Sequence, residues 1–180
     1  RTKRVYRRPA VTLVLSASLT APGIGANPPV ARNIPTRTSS RCRPATAKIG
    51  GVHSVVYGGF SVEALHGRIE DSESKVIITA DGGHMNGKIV ELKKIVDEAL
   101  RRTAAPENVV VVRHAHNEIT MEAGRDYWYH ELMALPLTRG NQRVETEVMD
   151  AEDPLYILYT SGTTGKPKAI LHTHGGYAVG

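Results

Sequence analysis

Residues 159–168 read YTSGTTGKPK, in which six of ten positions are Gly, Ser or Thr and two are Lys. Such residues neither pack a core nor propagate a helix well. What they offer instead is chemistry toward anions. Ser161, Gly162, Thr163, Thr164 and Gly165 present backbone N–H groups unobstructed by bulky side chains, together with three hydroxyls, and Lys166 and Lys168 add positive charge. That equipment suits a polyphosphate. The run is not a Walker loop, because two residues rather than four separate Gly162 from Gly165 and Pro167 stands where Ser or Thr should follow the lysine. Pro167 lacks an N–H and fixes its own backbone angle, so the loop is not expected to lead directly into a helix. A flexible Gly/Ser/Thr linker is the competing reading.

Other groups with the means for chemistry carry less. His114-x-His116 and His172-x-His174 place paired imidazoles on one face of an extended chain, a spacing metal sites use. No third ligand stands nearby, so these are read as ordinary turn or strand histidines and no metal ligand is assigned. Tyr127, Trp128 and Tyr129 read as core aromatics rather than a base-stacking site. Cys42, the single cysteine, has no partner for an internal disulfide or a Cys-x-x-Cys pair.

The elements that must hold the loop are legible from about Ile49 onward. Val52–Tyr57 (VHSVVY) has the β-branched content of a buried strand and ends at Gly58-Gly59. Ser61 is placed to N-cap a helix carrying Val62, Leu65 and Ile69. Lys75–Thr79 is a second strand. Residues 86–102 put Ile89, Leu92, Val96, Ala99 and Leu100 on one helical face. Asn108–Arg113 (NVVVVR) is nearly continuous in apolar residues, as strands covered on both faces are. Asp126–Ala134 reads as a short helix with inward aromatics, Leu135–Met149 as a linker, and Leu155–Tyr159 as a strand feeding the loop. The alternation implies an α/β fold, a mostly parallel sheet with flanking helices, and ligands in such sheets bind beyond the carboxyl ends of strands.

Charge divides the chain. Of its 180 residues the first 60 hold ten Lys/Arg and no acid, while residues 61–180 hold thirteen bases against eighteen acids, so the net charge of +5 belongs to the first third. Residues 1–47 show no hydrophobic period, carry six prolines and no acid, and are expected not to fold. The preferred reading is the product of a reading-frame slip ending near Ala47. An organellar leader and a basic nucleic-acid arm are the alternatives, although no aromatic follows Tyr6 until Tyr57 to serve as a stacking platform. No stretch approaches the roughly 20 apolar residues of a membrane span. The expected location is the cytoplasm, with an organelle left open.

The run YTSGTTGKPKA resembles the phosphate loop of the adenylate-forming enzymes. With VHSVVYGGFSVEALHGRIEDSESKVIITADGG, GRDYWYHEL and LHTHGGY in the same order, residues 47–180 resemble the acetyl-CoA synthetases and their close relatives the propionyl-CoA synthetases. The resemblance implies part of the large N-terminal AMP-binding domain over residues 48–180, with the C-terminal domain absent. It implies acetate, ATP and CoA as small-molecule substrates with Mg²⁺ as cofactor, neither nucleic acid nor membrane as partner, and a phosphate-cradling segment of Thr160, Ser161, Gly162, Thr163, Thr164, Gly165, Lys166 and Lys168. Gly59 matches a glycine lining the pantetheine tunnel, and Met85, Asn86, Gly87 and Lys88 occupy the turn that holds the nucleotide end of CoA.

Two positions depart from the family pattern. Ala169 replaces a common glycine, and Met85 replaces an arginine, leaving Lys88 as the cation of the turn. No catalytic residue or magnesium ligand is assignable, because in the family those follow the loop. The expectation is therefore a ligase segment without activity of its own, with a non-catalytic nucleotide- or phosphate-binding module as the alternative class.

Overall fold

A parallel sheet leaves no face for water, so the short apolar strands of this chain must be covered by helices on both sides. The computed structural model describes residues 10–15, 34–85, 87–103, 106–135, 144–160 and 167–180. The strands are β1 (Ala10–Leu15), β2 (Val52–Tyr57), β3 (Ser74–Ala80), β4 (Gly83–Met85), β5 (Lys88–Val90), β6 (Asn108–Val112), β7 (Asp126–Trp128), β8 (Pro154–Thr160) and β9 (Lys168–Thr173). The helices are α1 (Ile34–Lys48), α2 (Val62–Ser72), α3 (Leu92–Leu100), α4 (Tyr129–Ala134) and α5 (His174–Val179). Seven strands form one sheet in the order β7-β6-β3-β1-β2-β8-β9, while β4 and β5 pair separately. All neighbours in the large sheet are parallel except β8 and β9, so the α/β expectation holds.

One face of the sheet carries the main core. Val56, Ile77, Val109 and Val111 from the strands meet Leu65 and Ile69 of α2 and Val96, Ala99 and Leu100 of α3. Each fully buried side chain of this kind contributes about 1.5–3 kcal/mol. Ser61 caps α2 as expected, its hydroxyl accepting from the Ala64 N–H at 3.3 Å. The opposite face receives α1 over β1 and β2, and its uncovered part shows a short apolar row. Val55 on β2 and the register partners Leu158 and Ile170 on β8 and β9 are 40%, 48% and 43% exposed. Among the described residues no helix is long and apolar enough to cross a membrane.

A buried ion cluster fixes α3 to the far edge of the sheet. The Lys93 ammonium, 1% exposed, lies 2.8 Å from Asp126 and 2.6 Å from Asp97 and donates to the Thr120 carbonyl at 3.1 Å. Arg125 completes the cluster by pairing with Asp97, Asp126 and Glu122. Burial alone would raise the Asp126 pKa, but the Arg125 hydrogen bond, the Glu122 backbone N–H and Lys93 together hold it below the usual carboxylate value.

Several expectations are corrected. Residues 1–47 are not uniformly unfolded: Ala10–Leu15 is a strand in the middle of the sheet, with Leu13 fully buried, and Ile34–Lys48 is helical with Cys42 and Thr46 facing inward. A central strand covered on both faces carries no alternation, so a search for period misses it. The helix expected over residues 86–102 begins only at Leu92, because Gly83–Met85 and Lys88–Val90 form a hairpin whose turn includes Gly87 at φ 74°. Asp126–Ala134 starts as strand before turning helical, and β9 and α5 follow the loop where sequence reading placed nothing. Leu135–Met149 is in part outside the described residues, and residues 144–149 carry no regular structure.

His53 on β2 is 9% exposed, and its Nδ1 has no hydrogen-bond partner. Burial, followed by the nearby Arg43 charge, pushes its pKa down to about 4. The folded value lies below the unfolded one, so the stabilisation is complete above about pH 6.5 and is lost as pH falls toward 4. Urea denaturation of the chain should lose up to about 3 kcal/mol across that window. His53→Gln should flatten this slope; an unchanged slope in the variant would refute the assignment.

Candidate functional site

Six parallel strands place their carboxyl ends along one edge. The chain steps from β1 to β2 in one direction and then crosses back over β1 to β3, so the winding reverses between β1 and β3. Ligands of doubly wound sheets bind at such reversals, beyond the carboxyl ends. Thr160 and Lys168 stand at the carboxyl end of β8, Gly59 just after β2, and Met85, Gly87 and Lys88 on the hairpin that follows β3, whereas His172 lies toward the amino end of β8.

Asp81 organises the centre of the edge. Its side chain, in a residue 1% exposed, accepts backbone N–H groups from Gly82 at 2.7 Å, His114 at 2.8 Å, Ala115 at 2.9 Å and His116 at 2.8 Å. Those four donors come from the ends of β3 and β6, so one carboxylate sets both exits. His116 takes up φ 57°, a left-handed conformation uncommon outside glycine, and its N–H is one of the four. His114 packs edge-on against His84 at 5.8 Å. Burial, then the neighbouring His84, lowers the His114 pKa against the opposing pull of Asp81. Neither histidine pair joins a metal cluster: among the described residues no three His, Cys, Asp or Glu side chains converge on one point.

The hairpin β4–β5 leaves this edge two residues after Asp81, with Met85 and Lys88 paired across its turn. Tyr57, the last residue of β2, donates its hydroxyl to the Met85 sulfur at 3.3 Å. Its ring occupies the space above Gly59, where an added Cβ would come within 2.9 Å of the Tyr57 Cζ. The structure therefore brings Gly59 and Met85, which lie 26 positions apart in sequence, to the hydroxyl half of one tyrosine. Lys88 is exposed on the same hairpin, and Asn86 lies outside the described residues.

Beside β2, the pair β8–β9 brackets the Gly/Ser/Thr loop. Thr160 and Lys168 face each other as the last register partners, both exposed. Ser161, Gly162, Thr163, Thr164, Gly165 and Lys166 lie outside the described residues. What precedes them is anchored to α2: the Tyr159 hydroxyl donates to Asp71 at 2.9 Å and lies 3.3 Å from the Arg68 carbonyl. The buried Arg68 guanidinium sits 4.4 Å from the Phe60 ring centre and 5.3 Å from that of Tyr159. Pro167 leads into a strand rather than a helix, and Ala169 is extended in β9 without positive φ. The methyl at that position therefore introduces no strain. Tyr156 stacks on His172 at 4.4 Å across the same pair, which accounts for one of the strand histidines.

A second concavity, about 860 Å³, lies between α3 and residues 117–125. Its Lys93, Asp97, Glu122 and Arg125 are already paired with one another in the ion cluster. It offers a ligand few unengaged charges, and the sheet edge remains the candidate site.

Sequence reading missed Asp81, Tyr57 and Arg68. The signal for Asp81 was an acid directly after an apolar strand and before Gly82-Gly83, a place where a carboxylate meets free backbone N–H groups. Tyr57 and Arg68 gave no signal, since their partners are distant in sequence.

A family model described as AMP-binding enzyme matches residues 15–179. The acetyl-coenzyme A synthetase of Streptomyces avermitilis is 52% identical over 133 residues, covering 74% of this chain and 20% of that protein. The acetyl-coenzyme A synthetase of Escherichia coli is 50% identical over 137 residues, covering 75% and 20%. Among solved structures, an acetoacetyl-CoA synthetase from Streptomyces lividans superposes with a TM-score of 0.72 at 26% identity, covering 98% of this chain and 23% of that one. The chain thus spans about a fifth of the length of the curated relatives it matches.

Asp81→Ala would leave four backbone N–H groups, that of buried Gly82 and those of the more accessible His114, Ala115 and His116, without their acceptor. At about 1–3 kcal/mol for each unsatisfied group, partly relieved by water, the loss should reach several kcal/mol. The check is the urea midpoint of the variant at unchanged slope. A loss under about 1 kcal/mol would remove Asp81 from its organising role.

Proposed function

This chain belongs to the AMP-binding enzymes, and on that premise we propose that it forms the phosphate- and thiol-handling part of an ATP-dependent acetate–CoA ligase. In the proposed reaction acetate attacks the α-phosphorus of ATP, giving acetyl-AMP and releasing pyrophosphate. The CoA thiol then attacks the acetyl carbonyl, the bond to AMP breaks, and acetyl-CoA and AMP leave. The observation that supports the reading is that Thr160 and Lys168, the described ends of the loop, lie along the same carboxyl edge as Gly59 and the β4–β5 hairpin. The half-identical relatives favour acetate as the acid.

In this reading the charge that accumulates on departing pyrophosphate meets Lys168, Lys166 and the N–H and hydroxyl groups of residues 160–165. Donors fixed before reaction stabilise such charge without reorganisation at the moment of transfer. The described ends of the loop fit the role, since Thr160 and Lys168 are exposed and held in register by a strand pair. Mg²⁺ would share the phosphate charge when bound, and no residue of this chain is assigned to it. The fit to CoA is partial: Lys88 supplies one cation on the hairpin, while Met85 supplies none. We place the ligase in the cytoplasm.

The experiment grafts residues 48–180 into the Streptomyces avermitilis relative in place of the matching segment. Acetate-dependent ATP–pyrophosphate exchange is expected in this chimera, with Lys168→Ala lowering it by about a hundredfold. The 180-residue chain by itself should show no exchange above its own Lys168→Ala control. Exchange that is indifferent to acetate, or a chimera indifferent to Lys168→Ala, would overturn the proposal.

A further inference from the structure

We propose that Arg68 is a positioning residue for polyphosphate: from the flank of α2 it holds Tyr159, and through Tyr159 the end of β8 that presents Thr160 opposite Lys168. This rests on the phosphate part of the reading above and adds a residue that lies 91 positions before Tyr159 and outside the loop motif. Arg68 is 7% exposed, yet among the described residues it forms no ion pair, and it donates one hydrogen bond, from Nη1 to the Ala64 carbonyl at 2.6 Å. Burying a cation without a carboxylate is costly, and an apolar side chain of similar volume would fill the space beside α2 without that cost. What compensates the charge is two aromatic faces, with the ring centre of Phe60 at 4.4 Å and that of Tyr159 at 5.3 Å.

The two rings belong to the exits of neighbouring strands. Phe60 closes the turn after β2, its N–H donating to the Tyr57 carbonyl at 3.2 Å, and Ser61 then caps α2. Tyr159 directly precedes Thr160, and its hydroxyl is held as well, donating to Asp71 at 2.9 Å and lying 3.3 Å from the Arg68 carbonyl. Ring face and hydroxyl are thus gripped by positions 68 and 71, one turn of the same helix. Thr160 and Lys168 are the last register partners of β8 and β9 and are both exposed, so the strand pair alone does not fix their direction relative to α2. The grip on Tyr159 does, and groups misplaced by about 1 Å lose much of their effect on a bound anion.

The test titrates tripolyphosphate, and separately ATP, into the 180-residue chain and its variants by calorimetry, with circular dichroism confirming each fold. Arg68→Met keeps the bulk and removes the cation, while Tyr159→Phe keeps the ring and removes the hydroxyl's hold on α2. Each should weaken both probes by about three- to tenfold at unchanged stoichiometry. A role confined to stability would instead lower the stoichiometry, the fraction of competent chain, and leave the affinity of that fraction as it was. Tyr159→Phe alters no charge, so it separates positioning from simple attraction between Arg68 and phosphate, and it decides alone if Arg68→Met does not fold. The double variant should lose less than the product of the single losses, because both act through one ring. Unchanged affinity in either folded variant overturns the inference, as do losses that multiply in full. Lys168→Ala is the reference: where it weakens tripolyphosphate and Tyr159→Phe does not, the inference falls alone. Where the chain binds neither probe, or binds both equally well without Lys168, the phosphate reading falls with it.

Discussion

The carboxylate of Asp81 is the constraint from which the working edge of this fold follows. Strands that end together on a parallel sheet leave their outgoing backbone N–H groups pointing into a crowded space, and each such group needs an acceptor. Asp81 serves four of them with one side chain. Its own backbone continues the pattern: its N–H donates to the Val112 carbonyl at 3.0 Å, and its carbonyl accepts from the Lys93 N–H at 3.3 Å. Lys93 then carries the linkage along α3 to Asp97 and Asp126. A single residue so placed joins β3, β6 and α3, and through the ion cluster reaches β7.

The position of the β4–β5 hairpin is a consequence. It begins two residues after Asp81, and it is held in addition by the His84–His114 ring contact and the Tyr57–Met85 hydrogen bond. On the other side of β1, α2 performs the corresponding task for β8 by holding Tyr159 through Asp71 and Arg68. The two halves of the proposed site are therefore fixed independently, one by a buried carboxylate and one by a helix flank. Tyr57 is the described contact that reaches from β2 to the hairpin.

What the sequence made legible follows the range of the forces involved. The strand Val52–Tyr57, the Ser61 cap and the β6 run of valines depend on residues within a few positions of one another, and they were read correctly. The central strand Ala10–Leu15 escaped because burial on both faces erases alternation, and because its neighbours β2 and β3 lie some forty to sixty positions away. Residues 86–102 misled for a related reason: Ile89 falls at helical spacing from Leu92 and Val96, yet Gly87 turns the chain and Ile89 ends half exposed on a hairpin. In the site, the loop composition and Gly59 were visible as types of residue. The pairing of Tyr57 with Met85, and of Asp81 with the exit of β6, exists only after the sheet has been assembled.

The row formed by Val55, Leu158 and Ile170 bears on how the molecule behaves among its own copies. Three branched or bulky apolar side chains aligned across adjacent strands order water over a flat hydrocarbon strip, and that water is released whenever two strips meet. Salts excluded from protein surfaces strengthen this tendency. The strip lies on a different part of the sheet from Asp81, so salting-out contacts made through it leave the Asp81 edge untouched.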